Sequence, residues 1–315
     1  MNLSNQFRLI INDETNEKDR KFLSFSNMRE GGLQPVFKDI LSNKKVVENH
    51  ALNYVGTQIL RSLFSSAAHA FRGMSQSWPK TNLTMMLQKN GYILIPNFLS
   101  WETFQQVKDE FFHGTNNGSY SPIKDGDTRV ERYILSPYHW KMLPAVTKLL
   151  SDRLLIQTLE GAELKNIEIG DVWFDTIFYD DPQKVPSSQN QLHSDTFHTT
   201  HKVWFFIEPV KLEDGPICFV PGSNQLSLKR LMFEYKKSIH FEDMLLSSTA
   251  LIDYSFRVEP RERTFLGCIE KALTCPENTL VIANTRGFHR RGKAKEGHTR
   301  RQIHFCIRTN NPFLF

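Results

Sequence analysis

The stretch LHSDTFHTTHKVWFFIEPVKLEDGPICFVPGSN, residues 192–224, decides the fold and much of the chemistry. It opens on His193-Ser194-Asp195, runs into branched and aromatic residues over 203–210, and breaks at Asp214-Gly215. It then resumes over 217–220 before Pro221-Gly222. Short β-forming runs closed by such turn pairs read as strands. Residues 172–179 upstream, and 279–283 and 302–308 downstream, have the same character. Several short strands without alternating helices argue against a parallel α/β sheet. They argue for a mainly β jelly-roll barrel with flanking helices.

In an extended segment, side chains two apart point to the same side, so His193 and Asp195 can grip one ion. His289, at the end of a later strand signal, can complete the set. Two imidazoles and one carboxylate on one face of an octahedron leave positions open for a co-substrate and O2, the arrangement of non-haem Fe(II) oxygenases. The plain alternatives are a surface pair for His193 and Asp195 and a hydrogen-bonded core histidine for His289. His198 and His201 extend the cluster and read as pocket or surface residues, with His198 a candidate substrate contact. His298 and His304 read as structural.

With 40% hydrophobic and 23% charged residues, the 315-residue chain is globular and long enough for one catalytic domain with an appendage. Charged and polar residues interrupt any signal-peptide pattern, and no apolar run approaches the ~20 residues that span a bilayer. Cys218, Cys268, Cys275 and Cys306 form no C-x-x-C pair, which fits reduced thiols in a cytoplasm and disfavours structural zinc. A net charge of +5 is mild, but seven Lys/Arg against the single Glu296 crowd residues 286–301. Arg286, Arg290, Arg291 and Lys293 flank His289. They become candidate contacts for an anionic substrate, a solvated loop being the alternative.

Residues 1–82 read as an N-terminal helical extension and 83–315 as the catalytic domain. In the extension Val55, Ile59, Leu60, Leu63, Phe64, Ala68 and Phe71 fall on one helical face. That face is expected to pack on the catalytic core, with a homodimer contact or a membrane surface as the other uses. From residue 83 the pattern predicts a helix stopped near Gly91, a strand Tyr92–Ile95 and a Ser100-capped helix. The β pattern lapses between about 224 and 275, where 226–237 looks helical. An insertion of this kind often covers an active site.

The opening stretch, with H-x-D, an apolar strand and an acidic-Gly-Pro turn leading to P-G-S, resembles the signature of the phytanoyl-CoA dioxygenase family. KNGYILIPNFLS (89–100) is similar to that family's entry segment. NTLVIANTRGFHRRGKAKEGHTRRQI (278–303) is similar to its strand, distal histidine and arginine. The resemblance spans roughly residues 84–310. It implies a double-stranded β-helix, cupin-like, that holds Fe(II) through His193, Asp195 and His289 and uses 2-oxoglutarate and O2. It also implies an arginine for the distal carboxylate of 2-oxoglutarate eleven positions after the distal histidine, at Arg300, with Arg301 the neighbour that must face the other way. Asp175 and Tyr179 are weaker candidates for the cofactor's other end.

Leu192 and Asn224 depart from the family where it carries an aromatic and a histidine. Arg290-Arg291-Gly292-Lys293 replaces its usual small polar stretch. The expected activity is hydroxylation, or a related desaturation or ring closure, of a small and anionic molecule. Halogenation is disfavoured because Asp195 is a carboxylate. The rivals are a cupin-like binding protein without catalysis and a nucleic-acid or protein demethylase on the same barrel. Interleaved basic and aromatic patches, which nucleic-acid binding would need, are not found.

Overall fold

The computed structural model describes residues 40–41, 45–47, 49–75, 77–117, 120–179, 185–241, 255–307 and 312–313. Among them the strands form two antiparallel sheets. The larger runs, in spatial order, β1 (Tyr92–Ile95), β10 (Thr279–Asn284), β6 (His201–Phe206), β12 (Thr299–Ile307), β4 (Ile169–Tyr179), β3 (Thr128–Leu135) and β2 (Ser121–Asp125). The smaller runs β8 (Phe256–Arg257), β5 (His193–Ser194), β11 (His289–Arg291), β7 (Ile217–Phe219) and β9 (Lys271–Ala272). This is the double-stranded β-helix expected from the sequence. It is built as two sheets and not as a closed barrel, since no described strand belongs to both.

The period-two alternation of the larger sheet sorts its residues into two environments. One face is apolar. Phe174 of β4, Val203 and Phe205 of β6, Leu280 and Ile282 of β10, and Ile303 and Phe305 of β12 share one buried cluster. Helices cover this face: α3 (Asn82–Asn90), α4 (Trp101–Asn117), α5 (Pro137–Trp140), α6 (Pro144–Leu150) and α7 (Arg153–Glu163). Phe104 and Phe111 of α4, Leu149 of α6 and Leu159 of α7 are fully buried against it. Truncating any one of the phenylalanines to Ala would cost about 3–5 kcal/mol. The opposite face looks toward the smaller sheet. There Trp204, Phe206 and Val281 meet Ile217 and Phe219.

The turn chemistry read from the sequence is present. Thr81 caps α3 by accepting from the Thr84 amide at 3.1 Å. Gly91 ends the helix in the left-handed region at φ 82°. A Cβ there would come within 2.7 Å of Asn224 Oδ1 and 2.8 Å of the Phe219 ring, so space as well as φ requires glycine. Ser100 accepts from the Thr103 amide at 3.3 Å at the start of α4. Unforeseen are the β2–β3 hairpin, which extends the larger sheet beyond β4, and helices α5 to α7.

The N-terminal segment carries α1 (His50–Tyr54) and α2 (Thr57–Ser75), and the insertion carries α8 (Leu228–Ile239) and α9 (Pro260–Leu266). Residues 1–39 and 242–254, where part of the extension and of the insertion fall, lie outside the described residues. Helix α2 packs on α8 largely with its polar side, which corrects the sequence expectation: of the expected apolar face only Ala68 is buried. Thr57, Gln58, Arg61, Ser62, Ser65 and Ala68 are its buried residues. Val55 is 74% and Leu60 65% exposed. The cause is a buried charge. Glu234 of α8 is fully buried and takes a hydrogen bond from Ser62, while Arg61 donates to Ile40 O at 2.9 Å and to Gln58 at 3.0 Å. A buried carboxylate without donors costs more than leaving apolar side chains in water. Among the described residues no helix is long and apolar enough to cross a membrane.

Candidate metal centre

His193 starts β5 and His289 starts β11, and their Cα atoms are partners in the short ladder between these strands. Asp195 follows β5, its amide held by Thr285 O at 2.9 Å. His193 Nε2 lies 3.5 Å from Asp195 Oδ1, and His289 Nε2 lies 3.5 Å from Asp195 Oδ2. One nitrogen or oxygen from each residue falls within 4.8 Å of the others, a group able to hold a metal ion. All three side chains are buried.

The second ring nitrogens decide what the first can do. His193 Nδ1 is 2.8 Å from Gln191 O and His289 Nδ1 is 2.9 Å from Gly287 O. A carbonyl only accepts, so both Nδ1 atoms carry a proton, which leaves Nε2 as the atom of each ring that can offer a lone pair toward Asp195. Burial pushes His193 down to about 3, with the neighbouring His289 adding to the shift, so it is neutral near pH 7. Burial alone would raise Asp195. The Lys202 ammonium, 2.8 Å from Oδ2, and the two histidines instead hold its carboxyl well below the usual range. Two imidazoles and an ionised carboxylate are the donor set that iron(II) takes in a facial triad.

A cavity of about 350 Å³ lies beside this cluster and between the sheets. Arg300, Gln302, His304 and Cys306 line it, at every second position of β12. Arg300 is 5% exposed. Its Nη1 donates to Gly215 O and its Nε has no hydrogen-bond partner among the described residues. Arg301 faces the other way, to Glu208 at 2.8 Å and over the Phe112 ring at 5.7 Å. Gly215 has φ +63°, and a Cβ there would lie 2.4 Å from the Tyr179 hydroxyl, so glycine lets its carbonyl reach Arg300. Arg291 lines the cavity from β11, two residues beyond His289 on the same side. Burial lowers its pKa, and Arg300 is among the charges that lower it further.

Other candidates from the sequence are paired within the cavity or fall outside it. Asp175 lines the cavity, but Arg132 holds both of its oxygens at 2.7 and 2.8 Å, and this pairing outweighs the burial that would raise its carboxyl. Tyr179 is buried, with its hydroxyl 3.5 Å from Gly215 O, outside the cavity wall. His198 and Arg286, candidate substrate contacts from the sequence, do not line this cavity. His198 Nδ1 is 3.1 Å from Thr199 O in the loop after Asp195. Arg286 is 5% exposed, with the charges of Glu234 and Arg230 acting on it from α8. Arg290 also lines the cavity but pairs with Glu270, which it shares with Arg263, and Lys293 is exposed. His201 pairs with Glu163 at 2.6 Å on the helix side of the sheet.

Residues that sequence reasoning missed complete the walls. His304 stacks on Trp204 with ring centroids 5.2 Å apart and lies 4.7 Å from Trp173. It is a cavity residue and not merely structural. Counting in twos from Arg300 would have found Gln302 and His304. Lys202 had no signal, because its partner is Asp195, seven positions away and across a turn.

The model of the family described as phytanoyl-CoA dioxygenase (PhyH) matches residues 87–251, half of the chain. No curated protein sequence matches. Among solved structures, EctD from S. alaskensis with bound Fe is 11% identical, with 76% of this chain and 82% of that chain covered and a TM-score of 0.52. The epimerase SnoN, in complex with Fe3+, alpha ketoglutarate and nogalamycin RO, is 12% identical over 71% of this chain and 81% of that chain, with a TM-score of 0.50. These likenesses establish a shared fold. From the match across half of its length, the chain belongs to the phytanoyl-CoA dioxygenase family of non-haem iron(II), 2-oxoglutarate-dependent oxygenases.

Proposed function

We propose that the protein hydroxylates a small anionic molecule, with His193, Asp195 and His289 holding iron(II) and Arg300 holding the distal carboxylate of 2-oxoglutarate. One observation carries this. His193 and His289 of the triad line the same cavity as Arg300, from opposite sheets, and the Arg300 Nε has no hydrogen-bond partner among the described residues. Bound there, iron(II) and 2-oxoglutarate supply an oxidation in which O2 is consumed, 2-oxoglutarate leaves as succinate and CO2, and a substrate C–H becomes C–OH.

The chain's own groups prepare the site. Asp195 stays ionised beside Lys202, and the backbone carbonyls of Gln191 and Gly287 fix both imidazole tautomers. Arg300 offers a planar fork suited to a carboxylate. Trp204, Ile177 and Ile217 make dry walls.

The anionic substrate rests on Arg291. Arg132 is paired with Asp175, Arg290 with Glu270 and Lys202 with Asp195. Arg291 lines the cavity with a 3.5 Å contact to Ser187 and no ion pair among the described residues. A half-buried cation in that state gains most from an anion that enters the cavity. The test is to supply purified protein with iron(II), 2-oxoglutarate and O2 and to measure succinate across pools of anionic and neutral metabolites. Metal- and oxygen-dependent succinate, raised by anionic compounds, is the expected result. Its absence in the parent, or its persistence in His289→Ala, overturns the assignment.

A further inference from the structure

The ladder that sets the metal ligands is short. Strand β5 has two residues and meets β11 at a single register pair, His193 opposite His289. So little backbone pairing leaves the triad dependent on what lies behind it. There Arg230 of α8 sits, 2% exposed, with Glu234 one turn further along and completely buried. Arg230 Nη2 donates to Ser194 Oγ at 2.7 Å, Nη1 to Ser223 O at 3.3 Å and Nε to Glu234 Oε1 at 2.7 Å. Its guanidinium also lies 4.3 Å over the Phe288 ring.

Each contact touches a neighbour of a ligand. Ser194 stands between His193 and Asp195 and points away from the metal side, as strand alternation requires. Its hydroxyl donates to Thr196 O at 2.9 Å, which turns the chain just past Asp195. Phe288 precedes His289, and its amide donates to Ser223 Oγ at 2.8 Å, the residue whose carbonyl Arg230 holds. On the far side Glu234 takes a hydrogen bond from Ser62, so α2 closes the chain of contacts.

We propose that Arg230 is a positioning residue for the metal centre. It braces the Ser194 strand and the Phe288 turn against each other so that the three ligand atoms converge, and the N-terminal helix α2 completes the brace through Ser62. This rests on the metal-centre reading above. A buried arginine–glutamate pair adds little stability over apolar residues of the same size, because desolvation of both charges offsets their attraction. What this pair adds is geometry, delivered by the guanidinium donors that remain after Glu234 is satisfied. Groups behind the ligands commonly change metal affinity by about 10–100-fold when lost.

Removing Arg230 alone would strand the Glu234 charge, so the informative variant is Arg230→Met with Glu234→Gln. The second is Ser194→Ala, which deletes the hydroxyl that accepts from Arg230 and donates to Thr196 O, and leaves the packing. Co(II) is titrated anaerobically into the full chain and followed by visible absorption, with a thermal melt recorded for each protein. The expected result is Co(II) binding weakened about tenfold or more in both variants, while Ser194→Ala melts close to the parent. Parent-like Co(II) affinity in folded variants overturns the brace and leaves the metal centre standing. A parent that binds no Co(II) overturns both. If the double variant does not fold, Ser194→Ala decides alone: weakened binding supports the brace and unchanged binding removes it.

Discussion

His289 stands directly opposite His193 in the β11–β5 ladder, which puts their imidazole centroids 4.6 Å apart. Both Nε2 atoms then face Asp195 at 3.5 Å. Because the three donors act as one unit, Asp195→Ala and His289→Ala are expected to abolish the one-to-one iron(II) binding of the parent, measured anaerobically by equilibrium dialysis. Retention of stoichiometric iron in both would remove the triad from the site.

Arg300→Leu should raise the 2-oxoglutarate requirement and leave iron binding intact. A buried carboxylate that loses its charged partner forfeits roughly 2–5 kcal/mol, on the order of a 30-fold or larger rise in KM. Arg301→Leu should change KM little, since Arg301 is engaged with Glu208 and Phe112 on the helix side. The reverse ranking would mean that β12 presents its other face to the cavity.

Arg291→Ala should raise KM for the anionic substrate and weaken its dependence on ionic strength. Arg290→Ala should do so less, because that guanidinium is already paired with Glu270. Steady-state kinetics at low and high salt check this. Turnover confined to neutral, apolar compounds, with Arg291→Ala indistinguishable from the parent, would sink the anionic substrate.

Burial pushes both His198 and His304 from 6.5 down to about 4. The unfolded chain takes up these protons below pH 6.5, and the folded chain takes them up only near pH 4. The stability that depends on their staying neutral is therefore complete above pH 6.5 and is lost as the pH falls toward 4. Urea unfolding in that window should lose on the order of 1–3 kcal/mol per pH unit. His304→Gln should make the slope shallower. An unchanged slope would contradict the buried neutral histidine.

The strands that carry the ligands were legible because their signals are local: H-x-D read in an extended segment, and turn pairs at Asp214-Gly215 and Pro221-Gly222 that close branched and aromatic runs. The β2–β3 hairpin had such a signal in Asp125-Gly126, where Gly126 takes φ +60°. Pro122 and Arg129, Glu131 and Arg132 diluted its β character. For α2 the apolar period was correct about the helix and silent about its facing. Facing was decided by Glu234, 172 positions from Ser62 in the chain. Lys202 and Arg230 were out of reach for the same reason, since each acts on a residue that only folding brings near.

The proposed iron ligands hang on the smaller sheet, apart from Asp195 just past the end of β5, while Arg300, the proposed anchor, hangs on the larger, and no described strand joins the two. The span between metal and anchor is therefore a thickness, kept by side chains stacked between two layers, as Trp204 and Phe206 are against Ile217 and Phe219. A change of volume in those fillers, well away from any ligand, would alter the gauge of the site and so the length of dicarboxylate that fits it. Selectivity between 2-oxoglutarate and its longer and shorter homologues becomes a property of the hydrophobic filling as much as of the charged groups at either end.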